Sequence, residues 1–212
     1  MRTDRRAAVF AFVAFVTFAA LTSVAATAIA APAFDLAALT ALLGRVKAGE
    51  ATFTETRRIE MLDRTLESSG RLSFRAPDAF VRETLSPRRE KLAVAGNTLT
   101  MSLGERSRTM QLDAAPEAAV IVEAVRGTLT GNRESLERLF DSTVAGTADK
   151  WSLDLVPRDL RLRGQVASVR VSGRDAVVRE VAVLLADGDR SVMKITPAQQ
   201  PAMTITPAAA RP

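Results

Sequence analysis

The groups in this chain that could do chemistry are carboxylates, basic side chains and hydroxyls: 24 Asp and Glu and 29 Lys and Arg stand against no His, no Cys and no Tyr. Without His, the usual general base near neutral pH and the commonest metal ligand, a Ser-His-Asp triad, a Cys-His pair and a His-ligated zinc site are all excluded. Two carboxylates on one cleft could still cut a glycosidic bond. Sugar clefts usually present aromatic platforms, however, and this chain has one Trp and few other aromatics. Asp187-Gly188-Asp189 could open a calcium loop, but the further oxygen ligands such a loop needs do not follow, and a hairpin turn accounts for the same residues. No catalytic residue, metal ligand or cofactor motif is expected. The charged residues that stand out do so by position. Glu55 and Arg57 share a strand face with Phe53, and Arg82 shares one with Phe80, so charge is directed at sides that should otherwise be apolar.

The apolar residues of this chain carry the rest of the pattern. Its apolar side chains fall at spacings that gather them on single faces. Leu36, Leu39, Leu43 and Val46 recur at three- and four-residue steps, predicting a helix over Phe34–Lys47 with Asp35 as N-cap and Gly49 as its end. Phe53, Ile59 and Met61 predict a strand over Thr52–Asp63. A meander follows: a strand pair around Ala76-Pro77-Asp78, then Lys91–Val94, a turn at Ala95-Gly96-Asn97, the alternating Leu99, Met101 and Leu103, and a strand marked by Met110 and Leu112. The period then becomes helical. Pro116 suits a helix start, Ala118, Ile121, Val122, Val125 and Leu129 follow on one side, and Asn132 can cap a second helix carrying Leu136, Leu139 and Phe140. Strand patterns resume at Trp151–Leu155, Val166–Val171, Val177–Leu185 and Ser191–Thr196, with turns at Ser172-Gly173 and Asp187-Gly188. The expected class is α+β: a curved antiparallel sheet forming a half-open β-barrel, with an N-terminal helix and central helices plugging its concave face.

The ends of the chain speak to compartment. Arg2, Arg5 and Arg6 precede an uncharged run from Ala7 to Ala26, and Ala28-Ile29-Ala30 offers the small-x-small pattern of signal-peptidase sites. Residues 1–30 are expected to be a secretory signal cut after Ala30, the alternative being retention as an anchor, since the run is near the ~20 residues a span needs. Residues 31–196 then form one domain and residues 197–212 a Pro- and Ala-rich tail. The formal charge of +5 includes +2 from the leader (three Arg and Asp4), leaving +3 for the remainder. An exported, aromatic-poor chain with no basic block is not expected to bind nucleic acid.

The segment Ser69–Arg89, SGRLSFRAPDAFVRETLSPRR, resembles the G-x-L-x-[aromatic or aliphatic]-x-x-P-x-x-Phe-x-[Arg or Trp] stretch of the outer-membrane lipoprotein carrier (LolA-like) family. The order of elements over residues 34–196 is similar to that family too. The resemblance implies a periplasmic carrier, not an enzyme. It would take acylated cargo, lipoprotein or lipid, from an inner-membrane donor and release it to an outer-membrane acceptor down an affinity gradient. It implies a monomer without cofactor. It also implies an acyl-chain cavity drawn from Leu39, Leu43, Phe53, Leu72, Phe74, Phe80, Leu99, Met101, Leu103, Ile121, Val125 and Leu153. Phe80 matches the family's cavity aromatic after the proline. The family's Arg before that proline, which latches the lid, is replaced by Ala76, and Arg75 should point outward by strand parity. Arg57 and Arg82 are the expected substitutes, as lid or headgroup contacts. The family's tryptophan-rich cavity is missing, so the cargo could be a free lipid rather than a lipoprotein. The alternative is a non-catalytic accessory module of an envelope export complex with a filled core.

Overall fold

The first helix forms where a cap and an apolar stripe coincide. In the computed structural model, which describes residues 34–198, α1 (Leu36–Leu43) begins with the Asp35 carboxylate accepting the Ala38 N–H at 2.9 Å. It ends at Gly44, earlier than Gly49, because the chain is already extended by Lys47, whose carbonyl accepts the Ala76 N–H. The expected signal and residues 199–212 of the expected tail lie outside the described residues.

Strand β1 (Ala48–Ile59) is longer at its start and shorter at its end than the alternation suggests, since Glu60–Leu62 forms a 3-10 turn. Next come β2 (Arg64–Arg75), β3 (Ala79–Ser86), β4 (Glu90–Ala95), β5 (Thr98–Leu103) and β6 (Arg106–Gln111). The helical segment follows: α2 (Pro116–Thr130), with Pro116 in its first turn, and α3 (Arg133–Leu139), whose Asn132 side chain accepts the Ser135 N–H at 3.0 Å. Then β7 (Phe140–Thr147), β8 (Lys150–Pro157), the short α4 (Leu160–Arg163), β9 (Val166–Arg174), β10 (Val177–Leu185) and β11 (Arg190–Pro197) complete the described chain.

Three local expectations need correction. Phe140 opens strand β7 instead of ending a helix, because it pairs with Pro157 across the β7–β8 ladder. Ser172-Gly173 lies within β9, and the turn sits at Asp175 (φ +49). Gly173 is required there because the Trp151 ring lies over it: an added Cβ would come within 2.5 Å of that ring. Pro197 belongs to β11, opposite Ala51, and not to the tail.

All the strands join one antiparallel sheet of eleven, in the order β6-β5-β4-β3-β2-β1-β11-β10-β9-β8-β7. Strands β6 and β7 are consecutive in sequence yet form the two opposite edges, so the sheet is an open half-barrel. The chain between them has to travel from one edge to the other, and α2 makes that crossing over the concave face. One side of α2 (Val120, Ala124) joins the main core with α1, α3 and β7–β10, around Leu39, Leu43, Leu136, Phe140, Trp151, Leu153, Leu155 and Val169. Its start (Ala118, Ala119, Val122) packs on a second, smaller core of Val94, Leu99 and Leu112. Each fully buried aliphatic side chain in these cores contributes about 1.5–3 kcal/mol of transfer free energy.

Gly70 explains the glycine of the quoted segment. It sits at an irregularity in the β2–β3 ladder, where a Cβ would come within 1.9 Å of the Glu83 carbonyl oxygen. Backbone cannot yield as a side-chain tip can. Gly70→Ala should therefore lower stability by about 1–3 kcal/mol in urea unfolding; an unchanged midpoint would mean the two strands are not this close.

Candidate acyl-chain cavity and its polar wall

Strand parity sends every second side chain of the curved sheet inward. Register then aligns those side chains into rows: Leu72 opposite Arg82 and Ala51, Phe74 opposite Phe80, Phe80 opposite Val94, and Val94 opposite Leu99. Because α2 crosses above them, the rows do not meet side chains from the other half of the sheet. Between them lies a cavity of about 1290 Å³, larger than the roughly 300–1,000 Å³ of ordinary small-molecule pockets. Its walls combine Leu72, Phe74, Phe80 and Met101 from one half of the sheet, Val171, Val181, Met193 and Ile195 from the other, and Ile121, Val125 and Leu129 from α2. Phe74 and Phe80 stack with centroids 5.1 Å apart.

The residues expected at the cavity divide by depth. Leu72, Phe74, Phe80, Leu99, Met101, Ile121 and Val125 stand in its wall. Leu39, Leu43 and Leu153 do not: they are fully buried in the main core, Leu39 and Leu43 on α1 and Leu153 on β8. Their positions on apolar stripes are correct, but those stripes face helix-on-sheet packing. Leu103 is 48% exposed near the end of the β5–β6 hairpin, where no helix covers it. Phe53 is buried on the inner face but shielded from the cavity, since the Arg82 guanidinium lies 4.9 Å over its ring. Sequence periodicity did not single out β10 and β11 as wall, although Val181, Met193 and Ile195 alternate and could have been found that way.

The wall is not wholly apolar. Glu55, on the inner face of β1, receives hydrogen bonds from Ser68 Oγ at 3.0 Å on β2 and from Ser191 Oγ on β11. It also forms an ion pair with Arg82 of β3, whose Nη2 contacts Ser68 Oγ at 3.4 Å. Arg82 can reach across because Gly70, opposite Phe53, places no side chain between them. Arg57 pairs with Asp189 at 3.2 Å, and the same carboxylate accepts the Glu60 N–H at 3.0 Å. Both expected arginines thus face the cavity already paired with acids, and Glu50, Glu117 and Arg190 add further charge to its lining.

Neither arginine serves as a latch to the helices: their hydrogen bonds run to Glu55, Ser68 and Asp189, all on the sheet or its turns. Ala76 is held by its backbone N–H to Lys47, and Arg75 is exposed. The helix-to-sheet bond comes from a residue that sequence reasoning passed over. Arg126 of α2 donates from Nη2 to the Gly96 carbonyl in the β4–β5 turn at 2.6 Å, and from Nη1 to Glu123 at 2.6 Å. An Arg on the polar side of an amphipathic helix carries no sequence signal of what it will meet.

Comparison with known proteins bears on this geometry. The model of a family described as outer membrane lipoprotein carrier protein LolA-like matches residues 28–212. No curated protein matches the sequence. Among solved structures, the chain is similar to a LolA superfamily protein from Nitrosomonas europaea, at 9% identity over 80% of this chain and 96% of that one, with a TM-score of 0.44. It is also similar to LprF from Mycobacterium bovis (6% identity, 78% and 92% covered, TM-score 0.37). A third likeness is to a chain of the MucA/MucB complex from Pseudomonas aeruginosa (14% identity, 78% and 56% covered, TM-score 0.41).

Removing the α2 tether should loosen the helix without unfolding the sheet. Arg126→Ala is expected to speed amide exchange across residues 116–130, by the roughly 1–3 kcal/mol that a hydrogen bond from a charged donor carries, while β8 and β9 stay protected. Uniform acceleration throughout the chain would count against a local tether.

Proposed function

The chain belongs to the outer-membrane lipoprotein carrier protein LolA-like family, and from that premise we propose that it is a periplasmic carrier that holds the acyl chains of lipoproteins or other acylated lipids inside its half-barrel. It moves them toward the outer membrane without catalysis and without a cofactor, as a monomer, between an inner-membrane donor and an outer-membrane acceptor. Residues 1–30 act as the export signal, cut after Ala30. Residues 31–197 are the carrier domain, extended by Pro197 of β11, and the remainder is a tail.

The observation that carries this reading is the cavity of about 1290 Å³ between α2 and the inner face of the sheet, walled by Leu72, Phe74, Phe80, Ile121, Val125 and Met193. Removing a methylene from water is worth about 0.8 kcal/mol, so ten methylenes in such a space gain about 8 kcal/mol. That is enough to keep a chain out of water during transit and small enough to yield to a better acceptor. α2 is the movable wall: it is joined to the β4–β5 turn through Arg126 and rests on the small side chains of Ala118 and Ala119 at the smaller core. The accessory-module alternative requires a filled interior, and the cavity supports the carrier reading over it.

Protein recovered from the periplasm should carry Ala31 at its N-terminus, as read by intact mass, and should release lipid or acylated protein in native mass spectrometry. A Phe80→Glu variant that melts within a few degrees of wild type should lose at least about 90% of that cargo, because a carboxylate now faces the hydrocarbon. Wild-type protein recovered under gentle conditions with no acylated species would defeat the proposal.

A further inference from the structure

The two ends of the half-barrel differ in what they expose. Because the strands alternate in direction, the β1–β2, β3–β4, β5–β6, β8–β9 and β10–β11 connections share one end of the sheet. Met61 is 91% exposed in the first of these, and Leu160 is 76% exposed on α4 in the fourth. Leu103 closes β5 at the same end. The other large apolar side chains that stay exposed, Leu66, Met101 and Leu184, lie in the strand halves nearest this end. The opposite end exposes no large apolar side chain among the described residues. Single exposed apolar side chains need no explanation, but a set confined to one end does.

The same end is rich in arginine. Arg64, Arg88, Arg89, Arg106, Arg161 and Arg190 are exposed there and form no ion pair among the described residues. Most of the acids around them are engaged. Glu60 and Asp63 pair with Arg58, Asp141 with Arg158 and Arg163, and Asp189 with Arg57. Asp159 caps α4 and Asp187 accepts the Asp189 N–H, which leaves Glu90 and Glu105 beside these connections. The opposite end instead carries an Asp in three of its turns, Asp78, Asp149 and Asp175, with Arg45 and Lys150 as exposed cations nearby. The cavity reaches the arginine-rich end, where Gln165, Leu185, Asp189 and Arg190 line it.

Apolar side chains spaced along a rim, and not gathered into one patch, suit a flat and fluid surface that each can enter separately. Unpaired arginines beside them attract anionic headgroups. We propose that this end of the half-barrel docks on anionic lipid bilayers, with Met61, Leu103 and Leu160 entering the interface and the arginines meeting lipid phosphates. Docking sets one end of the cavity against the bilayer, where an acyl chain enters or leaves. That purpose rests on the carrier function proposed above; the docking itself needs no cargo.

The test uses protein recovered from the periplasm without residues 1–30, co-sedimented with vesicles of phosphatidylcholine alone or mixed with phosphatidylglycerol in equal parts. Binding to the mixed vesicles should be at least about tenfold tighter and should be lost in high salt. Arg88→Glu with Arg89→Glu should weaken it at least about tenfold, whereas Arg45→Glu with Lys150→Glu, the same charge change at the opposite end, should leave it within about twofold. Met61→Asp with Leu160→Asp should weaken it about tenfold as well. All these side chains are exposed, so each variant should melt near wild type. Met61→Trp should shift to shorter emission wavelength on the mixed vesicles, over a constant signal from the buried Trp151. The docking face is overturned if wild type ignores the mixed vesicles, if both charge reversals weaken binding equally, or if binding requires a membrane protein in the vesicles. Cargo is read separately by native mass spectrometry. A protein that carries acylated species but does not dock leaves the carrier function standing, and one that docks but carries none defeats the carrier function alone.

Discussion

A chain that leaves a sheet at one edge and resumes at the other has to pass over a face of that sheet. Here β6 and β7 are those edges, and α2 is the passage. Everything else follows from that constraint. With a helix laid across the concave side, the inward rows of β2–β5 cannot interlock with those of β9–β11, as they would in a closed sandwich. Each half packs on the helix instead, forming a larger core at the α1–α3 end and a smaller one against Leu112. The space between them has hydrocarbon walls and is too large for the side chains present to fill.

Polar groups inside such a wall are expensive unless satisfied. The pairs Glu55–Arg82 and Arg57–Asp189 meet most of that demand, all but the buried Arg82 Nε–H, by bonding within each pair and to Ser68, Ser191 and the Glu60 N–H. Arg82 over Phe53 also shows one residue's burial being created by another: without the guanidinium above it, the Phe53 ring would be cavity wall.

Much of the architecture was legible locally. Asp35 and Asn132 cap helices where they stand, because a cap is satisfied by backbone groups only three residues away, and Pro116 opens one because its fixed φ suits a first helical position. The inward parity of Leu72, Phe74, Phe80, Glu55 and Arg82 followed from the two-residue period of a strand. The start of β2 at Arg64 was not legible, since Arg64–Ser68 offers a single apolar side chain, the exposed Leu66, and becomes a strand only by pairing with β1. Phe140 was misplaced for a similar reason: its spacing fits a helix, and the β8 ladder overrides it.

The sequence by itself determined which residues are apolar, which face of its element each occupies, and which chemistries are missing, because periodicity and composition are properties of neighbours along the chain. It also carried the resemblance in Ser69–Arg89 that points to the family. It could not separate Leu39, Leu43 and Leu153, which are core, from Leu72, Phe80 and Ile121, which border open space. Nor could it pair Arg82 with Glu55, or tie Arg126 to the β4–β5 turn. Those outcomes depend on which faces meet when a curved sheet and a crossing helix come together, and two identical apolar stripes differ only in what lies opposite them.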